Sequence, residues 1–170
     1  KIPEPLSAIA QKQITQKQMS YDLYFYKKKS SSLTENQIQD YLNNLDNFVL
    51  DENEKQWTYE NESTGVYFGI EWNEPNTDEE EIEIWDKFTN FENLNFSFTI
   101  NFIRPNYFGY EVFPILDKII EELDLYLLNP QDEIDADNPQ KFENGYLENQ
   151  WINHNEKLII QNYMAIQTLR

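Results

Sequence analysis

The chain has 170 residues, with 31 acidic side chains, 13 basic side chains, one histidine and no cysteine, and its net charge is −18. This length suits one domain with its own hydrophobic core. The lack of cysteine excludes a disulfide scaffold, a thiol nucleophile and a cysteine-ligated zinc site. The acidic balance argues against nucleic acid and anionic lipid as partners, since phosphate binding requires clustered Lys and Arg. No apolar run approaches the about 18 residues of a membrane span and no secretory leader is recognisable, so we expect a cytoplasmic protein.

Residues 1–18 differ from the rest of the chain. They have a net charge of +2, four glutamines and no aromatic residue, whereas 26 aromatic residues follow in residues 19–170. Disordered chains are poor in aromatic residues, so we predict one folded acidic domain over residues 19–170. The basic segment has two interpretations, which the sequence leaves open. It is either an upstream extension that is not native, or a helical arm that docks on the acidic body.

The folded part opens with a strand and a helix. Residues 20–27 alternate between apolar and polar side chains, as a β-strand does. Thr34 and Gln37 have the spacing of a capping box, and the apolar residues after them recur at helical intervals until about Asn47.

A β-rich stretch comes next. Alternation predicts strands over residues 57–59 and 66–72, joined by a hairpin loop at residues 61–65. Residues 82–85 are predicted to form a short strand. Residues 94–102 have the longest strict alternation in the chain, which is typical of an antiparallel strand with one face on the core.

The C-terminal half of the chain is predicted to be mainly helical. Residues 112–123 have a broad apolar stripe, and Pro105, Gly109 and Pro114 punctuate the entry into this helix. Residues 125–128 suggest a short strand and residues 129–145 a polar loop. A long terminal helix, broken near residues 153–155, is predicted from residue 146 onwards. The order predicts an α+β fold, an antiparallel β-sheet with two to three helices packed on one face.

Catalytic patterns are weak, so we expect no enzyme. His154 is the only histidine, and no serine has the Gly-x-Ser-x-Gly setting of a nucleophile. Glu71 and Glu74 beside Trp57 and Trp72 are the best candidates for a glycosidase pair. However, strand alternation places Glu71 and Trp72 on opposite sides of a sheet.

A dedicated metal site or cofactor is not expected either. Four carboxylates in the polar loop offer oxygen ligands of the type that calcium prefers, namely Asp132, Glu133, Asp135 and Asp137. Their spacing does not fit an EF-hand, since Asn138 falls where the loop requires glycine.

Acidic residues concentrate in the middle of the sequence. Residues 46–92 contain fifteen Asp or Glu against two Lys. Clustered carboxylates attract a cationic protein, and aromatic residues among them supply a binding hot spot. The predicted partner-binding surface consists of Glu71, Trp72, Glu74, Asp78, Glu79, Glu80, Glu81, Glu83, Trp85 and Asp86. The same run is also consistent with a solvated surface that has no partner.

Two segments carry a resemblance to known proteins. They are the opening Ser20-Tyr-Asp-Leu-Tyr-Phe and the segment Asn101-Phe-Ile-Arg-Pro-Asn-Tyr-Phe-Gly-Tyr-Glu111. With these and its acidic, cysteine-free character over residues 19–170, the chain resembles small bacterial cytoplasmic proteins and is similar to the immunity proteins that neutralise polymorphic toxins. The resemblance implies an inhibitor that binds a cognate toxin through an acidic face, and it assigns no individual residue.

The tryptophans and Arg104 lead to two further expectations. The alternative function is a carbohydrate-binding or glycoside-cleaving domain that uses Trp57, Trp72, Trp85 and nearby carboxylates. Arg104, one of two arginines, is predicted to form a bidentate ion pair with Glu111 or another acid.

Overall fold

The structure is a computed structural model. It describes residues 19–51, 53, 55–75, 77–131 and 138–168, without the side chains of residues 81, 84 and 165–168. The predicted N-terminal extension, residues 1–18, lies outside these ranges. Within them, no helix combines the length and the apolar character that crossing a membrane requires.

Six antiparallel strands form a single sheet. The strands are β1 (Ser20–Lys28), β2 (Phe48–Asp51), β3 (Gln56–Asn61), β4 (Val66–Trp72), β5 (Phe91–Asn101) and β6 (Tyr126–Leu128). Their order across the sheet is β2-β3-β4-β5-β1-β6. The first strand of the chain therefore lies between the last two, and the edges are β2 and β6.

Four helices complete the described part of the chain. They are α1 (Glu35–Asn43), α2 (Glu79–Trp85), α3 (Tyr107–Glu122) and α4 (Tyr146–Thr168). Apolar residues of α1, α3 and α4 share one core cluster with alternate residues of the strands, so these three helices cover one face of the sheet. The predicted α+β fold is confirmed. The short α2 is on the other face, where Trp85 packs in a separate small cluster.

The main core forms because one side of each central strand is apolar. Tyr21, Leu23 and Phe25 of β1 are fully buried, and so are Phe96 and Phe98 of β5. Each such side chain contributes about 1.5–3 kcal/mol when it leaves water. This burial fixes which side of the sheet the helices cover, and it leaves the polar side exposed.

The local predictions around the first helix and the first hairpin are confirmed. Thr34 caps α1, and its capping box with Gln37 is complete. Gly65 adopts a φ of 71° in the loop between β3 and β4. However, α1 ends at Asn43, before the expected Asn47, and the sequence did not predict β2.

Two predictions about the helices are wrong. Residues 82–85 form part of α2, because Asp78 initiates a helical turn: its side-chain Oδ1 accepts a hydrogen bond from the Glu80 N–H, and its carbonyl accepts one from the Ile82 N–H. Helix α4 has no break at residues 153–155. The Asn155 side chain bonds to the backbone at Ile103 and Arg104, so it does not compete with its own helix.

Candidate protein-binding face

The sheet face without the three large helices is polar. The strand register aligns a first row of residues across all six strands on this side, namely Asp51, Gln56, Glu71, Ser97, Tyr24 and Leu128. A second row runs parallel to it, namely Val49, Thr58, Gly69, Thr99 and Asp22. The two rows contain three carboxylates and no basic side chain.

Hydroxyl groups hold the two inner carboxylates in place. Thr99 donates from Oγ1 to Asp22 Oδ1 at 2.7 Å, and Ser20 donates from Oγ to Asp22 Oδ2 at 2.9 Å. Ser97 donates from Oγ to Glu71 Oε1 at 3.3 Å. Because these partners are neutral, they orient the carboxylates and leave their negative charge on the face.

Gly69 lies at the centre of the second row. A Cβ at this position would approach Gln56 Nε2 at 3.1 Å and Thr99 Cγ2 at 3.4 Å. Because glycine has no side chain, the surface at the centre of the face is recessed between the side chains of the neighbouring strands.

Tyr24 marks the end of the acidic rows. Burial raises the pKa of its hydroxyl, and the charges of Asp22 and Glu71 raise that pKa further. Its ring contacts Trp85 with the centroids 4.5 Å apart. Tyr24 therefore joins the acidic part of the sheet to α2.

Helix α2 is attached to the sheet through its C-terminal end. The Tyr26 hydroxyl donates to the Trp85 carbonyl at 2.8 Å, and the Tyr26 ring contacts Phe88 edge-on at 5.3 Å. Burial raises the pKa of Tyr26, and Asp86 adds to this shift. Since the attachment uses Trp85 and the residues after it, the acidic first turn of α2 remains in solvent.

The carboxylates around α2 extend the same negative surface. The exposed ones are Glu74, Asp78, Glu79, Glu80, Glu83 and Asp86. We define the acidic face as these six residues together with Asp22, Asp51, Glu60 and Glu71 of the sheet. The ion pairs that join two described residues are Lys27–Glu92, Lys118–Glu122 and Lys141–Asp124.

The structure brings most of the sequence-predicted surface together, with one separation. Glu71 lies on the open side, and Trp72 lies on the helix-covered side with the Lys55 ammonium 3.6 Å from its ring centroid. The Glu81 side chain is outside the described part. The aromatic residues beside the acidic face are therefore Trp85 and Tyr24.

The three tryptophans of the carbohydrate alternative do not share a surface. Trp57 is only 2% exposed, and its Nε1 donates to Asn43 at 2.7 Å. Trp72 lies on the same side of the sheet as Trp57, whereas Trp85 lies on the other.

The predicted ion pair between Arg104 and Glu111 is absent from the described residues. Glu111 Oε1 accepts three hydrogen bonds from the β3–β4 hairpin, whose donors are Tyr59, Asn61 and Thr64. Arg104 instead lies over the Tyr67 ring, 5.1 Å from its centroid, and donates to the Tyr67 hydroxyl. Neutral donors and an aromatic ring thus replace the expected charge pair.

The remaining candidates add no chemistry to this face. His154 lies on α4 with its Nδ1 2.9 Å from the Gln150 carbonyl oxygen. The calcium candidates lie outside the described residues, namely Asp132, Glu133, Asp135 and Asp137. Among the residues that are described, no group of three His, Asp or Glu could hold a metal ion.

Sequence reasoning missed Asp22, Asp51 and Glu60 as members of the acidic face. Alternation in residues 20–27 places Asp22 opposite the core, so part of the signal was available. Their proximity to Glu71 depends on strand register, which pairs residues far apart in the chain.

Comparison of the chain with protein-family models, with curated proteins and with solved structures finds no match.

Proposed function

We propose that this chain is a protein-binding module of the immunity type, which neutralises a basic toxin or enzyme by docking its acidic face on the partner. The observation that carries the proposal is the location of the carboxylates. They come from separate strands and from α2, and they meet on the sheet side that the three large helices leave open.

Charge complementarity is the physical basis. Clustered carboxylates raise the association rate of a cationic partner by about 10- to 1000-fold at low salt. Individual exposed charges contribute little affinity. The half-buried rings of Trp85 and Tyr24 supply apolar area beside the charges, which is the arrangement of a binding hot spot.

A co-purification experiment tests the proposal. The chain is co-expressed with the protein encoded next to it, and the dissociation constant of the complex is measured. The variant E79K/E80K/E83K should weaken binding by at least about tenfold, because it replaces attraction by repulsion at α2.

A matched triple variant controls for net charge. Asp40 of α1, Glu121 of α3 and Glu143 of the loop before α4 are exposed and lie outside the acidic face. Changing these three to Lys also brings the net charge from −18 to −12. Equal loss of affinity in both variants would exclude a specific role of the acidic face. The lack of any complex with the neighbouring protein would contradict the immunity-type assignment.

A further inference from the structure

The two edges of the sheet differ in how their backbone groups are satisfied. On the outer side of β6, the Leu127 N–H and C=O both bond to Gln140, each at 2.9 Å. At β2, no backbone segment among the described residues pairs with the outer side. An edge of this kind is a template for an added strand.

The pairing of β2 with β3 identifies the outward groups. Glu60 donates its N–H to the Asn47 carbonyl at 3.1 Å. Because backbone groups alternate in direction along an antiparallel strand, Val49 and Asp51 also bond towards β3. The N–H and C=O groups of Phe48 and Leu50 therefore point away from the sheet. No proline or lysine interrupts β2, although natural edge strands often use these residues to prevent pairing.

The side chains at this edge specify the chemistry of a partner strand. Val49 is 67% exposed on the open side of the sheet. A shallow depression of about 490 Å³ runs along the edge, lined by Val49, Leu50, Asp51, Asn53, Thr58 and Glu60. An added strand would place its open-side residues next to Val49 and within reach of the Asp51 and Glu60 carboxylates.

We propose that β2 accepts an extended, cationic segment of another protein as a seventh strand. Phe48 and Leu50 supply the backbone hydrogen bonds, and Asp51 and Glu60 select Lys or Arg on the open side. A second copy of this chain fits the edge poorly, because self-pairing would bring together the same two acidic residues of each copy. This inference rests on the proposed function, because it specifies which kind of segment of the partner binds. A synthetic peptide tests it without the partner protein.

The probe is a short synthetic peptide of alternating Lys and Thr, in two N-methylated forms. In an antiparallel added strand, as in the rest of the sheet, Lys side chains that face the acidic residues leave the Thr backbone groups facing Phe48 and Leu50. Methylation of the Thr nitrogens should abolish binding, whereas methylation of the Lys nitrogens should preserve it. On binding, amide exchange should slow at Phe48 and Leu50 more than at Val49, which already bonds to β3.

A pair of variants separates the edge from general charge effects. V49K should weaken binding of the peptide by about tenfold or more, since it places like charges side by side at the edge. Ile82 is exposed on α2, so I82K makes the same change of charge away from β2 and should have a much smaller effect.

Three results would overturn the inference. Equal affinity of the two methylated peptides would show that charge alone holds them. Absence of binding to the full chain would show that the edge is not available. A concentration-dependent dimer that V49K disrupts would assign the edge to a second copy. Each of these results leaves the α2 charge-reversal experiment independent, so failure of the edge and failure of the acidic face are distinguishable.

Discussion

Gly109 illustrates how a single residue determines the packing of two helices. A Cβ at this position in α3 would lie 2.9 Å from Cε3 and 3.0 Å from Cζ3 of Trp151 in α4. Trp151 is fully buried and lies between the rings of Phe102 and Phe113. The indole cannot move away without disturbing those rings, so the glycine is required for space.

The variant G109A should therefore destabilise the protein. Alanine favours a helix over glycine by about 1 kcal/mol, but overpacking a close contact costs about 1–3 kcal/mol. We expect a net decrease in the free energy of unfolding, measured by urea denaturation. Tyr110 is 58% exposed on the same helix, and Y110A should stay near the wild type. Unchanged or increased stability of G109A would mean that Trp151 can relax.

For single residues, the sequence predicted the side of the sheet on which a side chain lies better than it predicted the hydrogen-bond partner of that side chain. The opposite orientation of Glu71 and Trp72 follows from the period of a strand, and the structure has it. The partner of Glu111 did not follow from sequence. An ion pair with Arg104 was the simplest expectation, but three neutral groups of the β3–β4 hairpin donate hydrogen bonds to the Glu111 carboxylate.

Among the elements, α4 is tied to the end of β5 by one buried side chain. Asn155 is 0% exposed, and its Oδ1 accepts from the Ile103 N–H at 2.7 Å and from the Arg104 N–H at 3.2 Å. Its Nδ2 donates to the Arg104 carbonyl at 2.7 Å. Ile103 has a φ of 60°, so this amide stabilises a turn that a β-branched residue adopts only rarely.

The variant N155A should lower the free energy of unfolding by about 2–4 kcal/mol, since it leaves buried backbone groups without partners. Urea denaturation measures the loss. The exposed neighbour Asn153 provides the control, and N153A should change stability by less than about 0.5 kcal/mol. Equal stability of the two variants would show that water replaces the Asn155 amide.

Helices and strands with a strong local sequence pattern were predicted correctly, and those without one were not. The strict alternation of β5 and the capping box of α1 are local signals, and both elements are present. Helix α2 was predicted as a strand, because Ile82 and Ile84 have the spacing of a strand, although Ile82 and Trp85 have that of a helix. The four residues of β2 are held by pairing with β3, which no local pattern reports.

For the whole molecule, the central fact is a net charge of −18, with ten of the 31 carboxylates on the acidic face. Carboxylates of like charge repel each other in the folded state. A cationic partner would convert that repulsion into attraction. The same carboxylates therefore lower the stability of the isolated chain and attract the proposed partner. Salt should raise the stability of the chain and lower its affinity for the partner.

Salt should stabilise the isolated chain and weaken its complexes. The Debye length falls from about 30 Å at 0.01 M to about 3 Å at 1 M salt, which removes repulsion between carboxylates and attraction to a partner alike. We expect the unfolding midpoint to rise with sodium chloride, and the affinity for the Lys–Thr peptide to fall. In E79K/E80K/E83K, whose net charge is −12 instead of −18, the stabilisation by salt should be smaller. A complex that tolerates high salt would indicate apolar contacts as its main source of affinity, and the acidic face would then be a solvated surface.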